Sequence, residues 1–223
     1  MVNGYLTIIL IFGLISSSSI ALADSSDWYV AADVGQSKFT GTGDLQTPAT
    51  PSSNTDTEYR FSAGYQFNSY LGLEAGYANF GQATGTNTYL GNHPLIVPCD
   101  ASCLMAYDVT ANSTLKTHGW TLIVVGTYPL SEYWSISVRA GGIDTRSELN
   151  IEYTPYSSAG GQPYSRSLTS TNWDGTYGLS LNWLLADHWA ARLSWDKYVD
   201  LGNSSNMGTY SVNLASLGII YRF

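Results

Sequence analysis

Apolar side chains recur at every second position through most of this chain, a period that places them together on one face of a pleated strand. The last such stretch, residues 210–223, puts Ala215, Leu217, Ile219, Tyr221 and Phe223 on one face, with Arg222 between the two terminal aromatics. In residues 28–39, Trp28, Val30, Ala32 and Val34 oppose Tyr29, Ala31, Asp33, Gly35 and Ser37. Residues 57–67 set Tyr59, Phe61, Ala63, Tyr65 and Phe67 against Glu58, Arg60, Ser62, Gly64 and Gln66. Residues 70–80 set Leu71, Leu73, Ala75 and Tyr77 against Gly72, Glu74, Gly76 and Ala78. In residues 114–128, Trp120, Leu122 and Val124 share one face, while Ile123 and Val125 weaken the polar character of the other. Residues 133–144 alternate Trp134, Ile136, Val138 and Ala140 with Ser135, Ser137, Arg139 and Gly141. Residues 172–185 place Tyr177, Leu179, Leu181, Trp183 and Leu185 against Thr176, Gly178, Ser180 and Asn182. In residues 189–199, Ala191, Leu193 and Trp195 oppose Arg192, Ser194 and Asp196.

The pattern therefore predicts eight strands. Their connections alternate between short turns, at 68–69, 129–132 and 186–188, and long polar segments, at 40–56, 81–113 and 145–171, with a shorter loop before the last strand. That asymmetry predicts an all-β fold, an eight-stranded antiparallel up-and-down transmembrane β-barrel with both termini on the side of the short turns. The first strand closes against the last and leaves no unpaired edge. Aromatics near strand ends, Trp28, Tyr70, Tyr128, Tyr133, Trp189 and Phe223, are expected at the two membrane interfaces.

Composition supports a membrane reading over a soluble sandwich. Only 12% of the 223 residues are charged, about half the soluble average of roughly 25%, while 17 Tyr, 7 Trp and 22 Gly are abundant. After the N-terminus no run approaches the roughly 18 continuous apolar residues of a membrane helix. The net charge of −8 argues against nucleic acid, whose phosphates need basic partners. Residues 6–15 form a short apolar run, followed by serines at 16–19 and a small-residue cleavage site, Ala21-Leu22-Ala23, before Asp24. We read residues 1–23 as an export signal, although no Lys or Arg precedes its apolar core, and residues 24–223 as the barrel domain.

Candidate chemistry is sparse. Cys99 and Cys103 fall in the second long loop, and exported proteins meet oxidising surroundings, so a loop disulfide is expected, with free thiols as the alternative. No metal or cofactor is expected, since His93 is the only nearby soft ligand and four-ligand spacing is missing. A Ser/His/acid set would have to use His93, His118 or His188. His118 with Ser62 or Glu58 near the outer rim is the best such arrangement, yet no local motif marks a nucleophile. The Thr/Ser/Asn/Gly-rich loops, with Tyr89, Tyr153, Tyr156 and Tyr164 interspersed, suit contacts with host surfaces, phage or lipopolysaccharide, and equally suit inert hydrophilic caps.

A family resemblance covers nearly all of the chain after the export signal. The run Gly64-Tyr65-Gln66-Phe67-Asn68-Ser69-Tyr70-Leu71-Gly72-Leu73-Glu74-Ala75-Gly76-Tyr77 resembles the second hairpin of the OmpA transmembrane domain. So do Tyr128-Pro129-Leu130, then Ser137-Val138-Arg139-Ala140-Gly141-Gly142, Trp189-Ala190-Ala191-Arg192-Leu193 and the terminal Tyr221-Arg222-Phe223. Trp28-Tyr29 after an acidic, polar start matches too. The resemblance implies a small barrel in the outer membrane of a Gram-negative bacterium, its interior plugged by a charge network. Asp33, Glu74, Arg139 and Arg192 fall on inward positions of that kind, and Glu58 and Arg60 join them on the second strand. Val125 and Asn182 stand where the family carries an inward lysine and glutamate, so its gate-like ion pairs cannot form in the same way, whereas a pairing of Glu74 and Asp33 with Arg139 and Arg192 is expected, because unpaired buried charges are costly.

The implied partners are outer-membrane lipid and lipopolysaccharide, the outer-membrane assembly machinery, to which Tyr221 and Phe223 would present a C-terminal signal, and host surface or phage through the loops. Many relatives carry a second, peptidoglycan-binding domain; with the chain ending at Phe223, that anchoring role is not expected. The resulting expectation is a structural or surface-interacting barrel without enzyme activity. A low-conductance porin-like channel for small solutes and a lipid-modifying barrel enzyme are the alternatives.

Overall fold

The computed structural model describes residues 27–41, 50–89, 108–156, 163–203 and 207–223. Residues 1–23, expected from the sequence to be an export signal, and Cys99, Cys103 and His93 lie outside the described residues. Nine strands are present among those described: β1 (Asp27–Thr40), β2 (Thr50–Ser53), β3 (Thr55–Asn68), β4 (Leu71–Tyr89), β5 (Asp108–Pro129), β6 (Trp134–Tyr156), β7 (Tyr164–Ala186), β8 (Trp189–Asn203) and β9 (Gly208–Arg222). Eight of them close a ring of antiparallel neighbours in the order β1-β3-β4-β5-β6-β7-β8-β9. The ring shuts where β1 meets β9, from Tyr29 opposite Arg222 to Thr40 opposite Ser211. β2 is extra; it pairs only with the upper part of β4, with Thr50 opposite Thr86.

The short turns sit where expected and are held by side-chain acceptors. Asn68 Oδ1 accepts the Tyr70 and Leu71 N–H groups at 2.8 and 2.9 Å. Ser131 Oγ accepts the Trp134 N–H at 3.2 Å. Such Asx and Ser turns supply the backbone acceptors that a tight reversal leaves open.

The long loops are shorter than the composition suggests. β4 continues to Tyr89 and β5 begins at Asp108, both inside the segment expected to be loop; β6 likewise runs to Tyr156 and β7 starts at Tyr164. Tyr89, Tyr153, Tyr156 and Tyr164 therefore stand on strands. A bilayer core needs about 9–11 tilted residues per strand, whereas β5, β6 and β7 have 22, 23 and 23. Roughly half of each stands above the membrane.

This excess length changes where the aromatics lie. Trp28, Tyr70, Tyr128, Tyr133, Trp189 and Phe223 are all exposed, but the strand ends place them together at the turn side, not at both interfaces. The outer girdle lies partway up the strands instead, where Tyr59, Trp120 and Trp173 face outward and Tyr77 packs edge-on against Trp120 at 5.3 Å.

On β6 the alternation changes phase. Trp134, Ile136 and Val138 face outward and Ser137 and Arg139 are buried. Beyond Gly141 and Gly142, Asp144, Arg146, Asn150 and Glu152 face outward or lie exposed, while Ile143, Leu149 and Ile151 are buried inside. The same inversion appears on β9, where inward Ser216 gives way upward to inward Leu214, Val212 and Tyr210. The chain is inside-out where lipid surrounds it and conventional where water does.

Candidate functional site: the barrel interior

The lumen is filled in layers. At the middle of the lipid-facing belt, six fully or nearly fully buried charges form a closed circuit. Arg60 donates from Nε to Asp33 at 3.2 Å and from Nη1 to Asp196 at 2.7 Å. Arg139 donates from Nη1 to Asp196 at 3.2 Å and from Nη2 to Glu74 at 2.7 Å. Arg192 donates from Nη1 to Glu74 at 2.8 Å and clamps Asp33 through Nε at 2.9 Å and Nη2 at 2.5 Å. Each guanidinium thus bridges two carboxylates, each carboxylate receives two guanidiniums, and three positive charges meet three negative ones. Tyr29 adds a donor to Glu74 at 3.2 Å, and Ser194 accepts from Arg60 at 3.2 Å. Buried charge is tolerated only with such pairing.

The circuit depends on strand register. Asp33 and Arg60 are direct cross-strand partners; Arg192–Asp33, Arg139–Asp196 and Arg139–Glu74 each reach over one intervening strand, and Arg60–Asp196 and Arg192–Glu74 cross the lumen. Arg192, Gly218 and Asp33 lie in one row across β8, β9 and β1. Arg139, Gly178 and Asp196 lie in one row across β6, β7 and β8, and Tyr29, Gly64 and Glu74 across β1, β3 and β4. In each row the central residue is glycine because a side chain would occupy its neighbour's place. A Cβ on Gly218 would fall 2.0 Å from Asp33 Oδ1, one on Gly178 2.2 Å from Asp196 Oδ1, and one on Gly64 2.1 Å from Tyr29 Cζ.

Of the interior charges named from sequence, the structure brings together Asp33, Arg60, Glu74, Arg139 and Arg192. Glu58 is not among them. It is fully buried on the same face of β3, yet neither of its carboxylate oxygens has a hydrogen-bond partner among the described residues. The missing member is Asp196, which alternation had put on the inward face of its strand without assigning it a partner; the Gly178 row is the signal, and it is visible only once β6 and β8 are in register. Val125 is buried inside, and Asn182 donates to Ser137 at 3.0 Å and Ser135 at 3.3 Å, so both departures from the family pattern are filled by neutral groups.

Above the circuit the interior turns apolar. Phe39, Phe80, Leu115, Ile143, Leu149, Ile151, Tyr198, Leu201, Val212 and Leu214 form one buried cluster, with Phe80 and Tyr198 in ring contact at 4.7 Å. Tyr210 braces it through hydroxyl contacts to Thr117 and Ser147 at 2.5 and 2.6 Å. The alternation led to an interior of charged, small and polar residues, with a weaker polar side only at Ile123 and Val125. The correction follows from the strands' length, because a barrel wall that rises into water buries its apolar face inward. Below the circuit, a cavity of about 320 Å³ opens at the turn end beside Asp27, Glu132 and Arg222, and a separate one of about 30 Å³ lies beside Arg139 and Arg192.

The histidine-based arrangement does not assemble. His118 sits on the outward face of β5, between exposed Trp120 and Lys116, whereas Glu58 and Ser62 are buried on the inward face of β3. His188 lies exposed in the turn before β8, its Nδ1 3.0 Å from the Arg222 carbonyl. Tyr221 packs between Trp189, at 4.8 Å, and Phe223, at 5.2 Å, on the outer wall near the turn end.

Comparison with known proteins agrees with this architecture. The family model of the OmpA-like transmembrane domain matches residues 23–223. Outer membrane protein A of Klebsiella pneumoniae is 27% identical over 209 residues, covering 91% of this chain and 53% of that protein. The Yersinia pseudotuberculosis protein of the same name is 25% identical over 219 residues, covering 97% and 54%. The chain thus spans about half the length of the curated relatives it matches. Among solved structures, Neisserial surface protein A superposes with a TM-score of 0.50 at 13% identity, over 88% of this chain and 97% of that one, a likeness of fold alone. Given the closed eight-stranded ring, the lipid-facing belt and the family match over residues 23–223, the chain belongs to the OmpA-like transmembrane domain family and is an integral β-barrel of the Gram-negative outer membrane.

Proposed function

We propose that this protein is a closed barrel with a structural and surface-presenting role: a membrane anchor that holds its external segments above the lipid, and neither a diffusion channel nor an enzyme. The observation that carries this reading is the double seal of the lumen, in which the neutralised charge circuit is capped by the apolar cluster around Phe80, Tyr198 and Tyr210. Eight strands leave an interior that side chains fill, and an ion crossing this one would have to break paired buried charges and then enter a dry apolar layer. The tall walls of β5, β6 and β7 support surface presentation, since rigid strands raise the connecting segments clear of the headgroups. Within the same reading, residues 1–23 direct export, Tyr221 and Phe223 serve as the C-terminal signal for barrel assembly, and Cys99 and Cys103 form a disulfide. Planar-bilayer recordings test the closed state. Refolded protein is expected to add no discrete conductance steps above background, and reproducible steps would overturn it.

A further inference from the structure

Arg139 is 1% exposed, and its Nη1 and Nη2 are engaged with Asp196 and Glu74. Its Nε–H is the one buried side-chain N–H without a hydrogen-bond partner among the described residues. Leaving such a donor unbonded is costly, and more so on a charged group. Arg139 also lines the cavity of about 30 Å³ beside the circuit, together with Arg192, Arg222 and the hydroxyl residues Thr127, Ser137 and Ser180. No carboxylate lines it; Asp33, Glu74 and Asp196, which hold Arg139 and Arg192 in place, are not part of its wall.

The circuit is neutral as a whole, so the net charge at this cavity comes from Arg222, which is exposed at the turn end and makes no ion pair among the described residues. The neutral part of the wall adds donors. Asn182 donates to Ser137 at 3.0 Å, and the Ser137 and Thr127 hydroxyls share one hydrogen bond at 3.1 Å. Whichever of the two donates, the pair keeps one O–H hydrogen to spare. Val125 and Asn182, the two departures from the family pattern, both line the cavity. A glutamate at position 182 would put a carboxylate into this wall, and the asparagine does not. Tyr29, Thr127, Asn182 and Arg222 also line the larger cavity that opens at the turn end, so the two adjoin, whereas Asp27 and Glu132 line only the larger one.

We propose that this cavity binds a small monovalent anion of the size of chloride, with the Arg139 Nε–H and the Arg222 guanidinium as its charged donors, and that the anion enters from the turn end. Charge-assisted hydrogen bonds are the strong ones, and arginine-lined walls favour anions. A water needs about 10–15 Å³, so a space of about 30 Å³ admits one monatomic ion and excludes organic anions. The site does not require the lumen above it to be sealed, so conductance and anion binding fail separately.

The test is a chloride titration of the full barrel in non-ionic detergent, with gluconate replacing chloride at constant sodium and the chloride NMR line width as the readout. A saturable broadening is expected, displaced by bromide and untouched by gluconate. Asn182→Glu and Arg222→Gln should each weaken it by about tenfold or more, and Lys116→Gln, on the outward face of β5, should leave it unchanged. Crystals of the unaltered protein soaked in bromide give a readout that needs no variant to refold: an anomalous peak bonded to Arg139 Nε is expected. Broadening that rises linearly with chloride, or that is equally strong in Asn182→Glu, would overturn the proposal. So would a water at Arg139 Nε with no bromide peak there.

Discussion

Arg192 and Glu58 illustrate how differently two buried charges can behave in one lumen. Arg192 contacts both Asp33 and Glu74, so Arg192→Ala leaves each with one guanidinium and the buried circuit with an uncompensated negative charge, and should cost about 3–5 kcal/mol of folding free energy. Reversible urea unfolding in lipid vesicles measures it, and a loss below about 1 kcal/mol would mean that the circuit does not act as a unit. Neither Glu58 carboxylate oxygen makes a hydrogen bond among the described residues. Glu58→Gln removes a charge without stranding another, and should leave stability unchanged or raise it in the same assay. Gly218→Ala tests the register row from the other side. With Asp33 Oδ1 2.0 Å from the new methyl and the Ala32 carbonyl at 2.8 Å, it should destabilise by about 1–3 kcal/mol, the usual cost of overpacking. The inward position of Asp33, Glu58, Arg60, Glu74, Arg139, Arg192 and Asp196 was legible from period-2 alternation, and so was a pairing of Glu74 and Asp33 with Arg139 and Arg192; the places of Arg60 and Asp196 in the circuit were not, because each pairing is a property of two or more strands at once.

Strand β6 shows the same limit one level up. Its period of two is continuous over 23 residues, yet the apolar face switches from outward to inward near Gly141 and Gly142. Read locally, the upper half lacks an apolar outward face and its Ser, Thr, Asn and Glu content resembles loop. What makes it a strand is the neighbour on either side, with β5 and β7 paired to it from Asp108 opposite Tyr156 down to Trp134 opposite Trp183. Two lysine substitutions locate the boundary. Val138→Lys puts a charge on the lipid face and should cost about 2–4 kcal/mol, whereas Asn150→Lys, outward but in water, should cost under about 0.5 kcal/mol. Similar losses from both would place β6 wholly within lipid. Amide exchange makes a companion prediction: Ile143, Leu149 and Ile151 should exchange slowly despite standing above the membrane, since their ladder is intact and their side chains are buried.

For the molecule as a whole, closure is the property that matters. Pairing of β1 with β9 removes both sheet edges from the lipid, where an unpaired N–H or C=O would be costly. A closed ring of this kind resists detergent until heated. The protein refolded into micelles should therefore migrate differently on a gel with and without boiling and give a strand-rich far-ultraviolet spectrum. Unchanged mobility, with solubility in the absence of detergent, would contradict the membrane barrel.

The amino-acid sequence on its own settled the strand count in the ring, the turn side, the lipid-facing face of each strand within the belt and the inward position of the central charges. All of these follow from short-range facts: side chains alternate along a strand, turns need particular residues, and lipid accepts only apolar surface. Tertiary structure alone decided that each guanidinium bridges two carboxylates, that Asp196 completes their circuit while Glu58 stands apart, and that the upper lumen is apolar. Those outcomes depend on register and on the height of each residue relative to the membrane, and neither quantity exists until the strands are side by side.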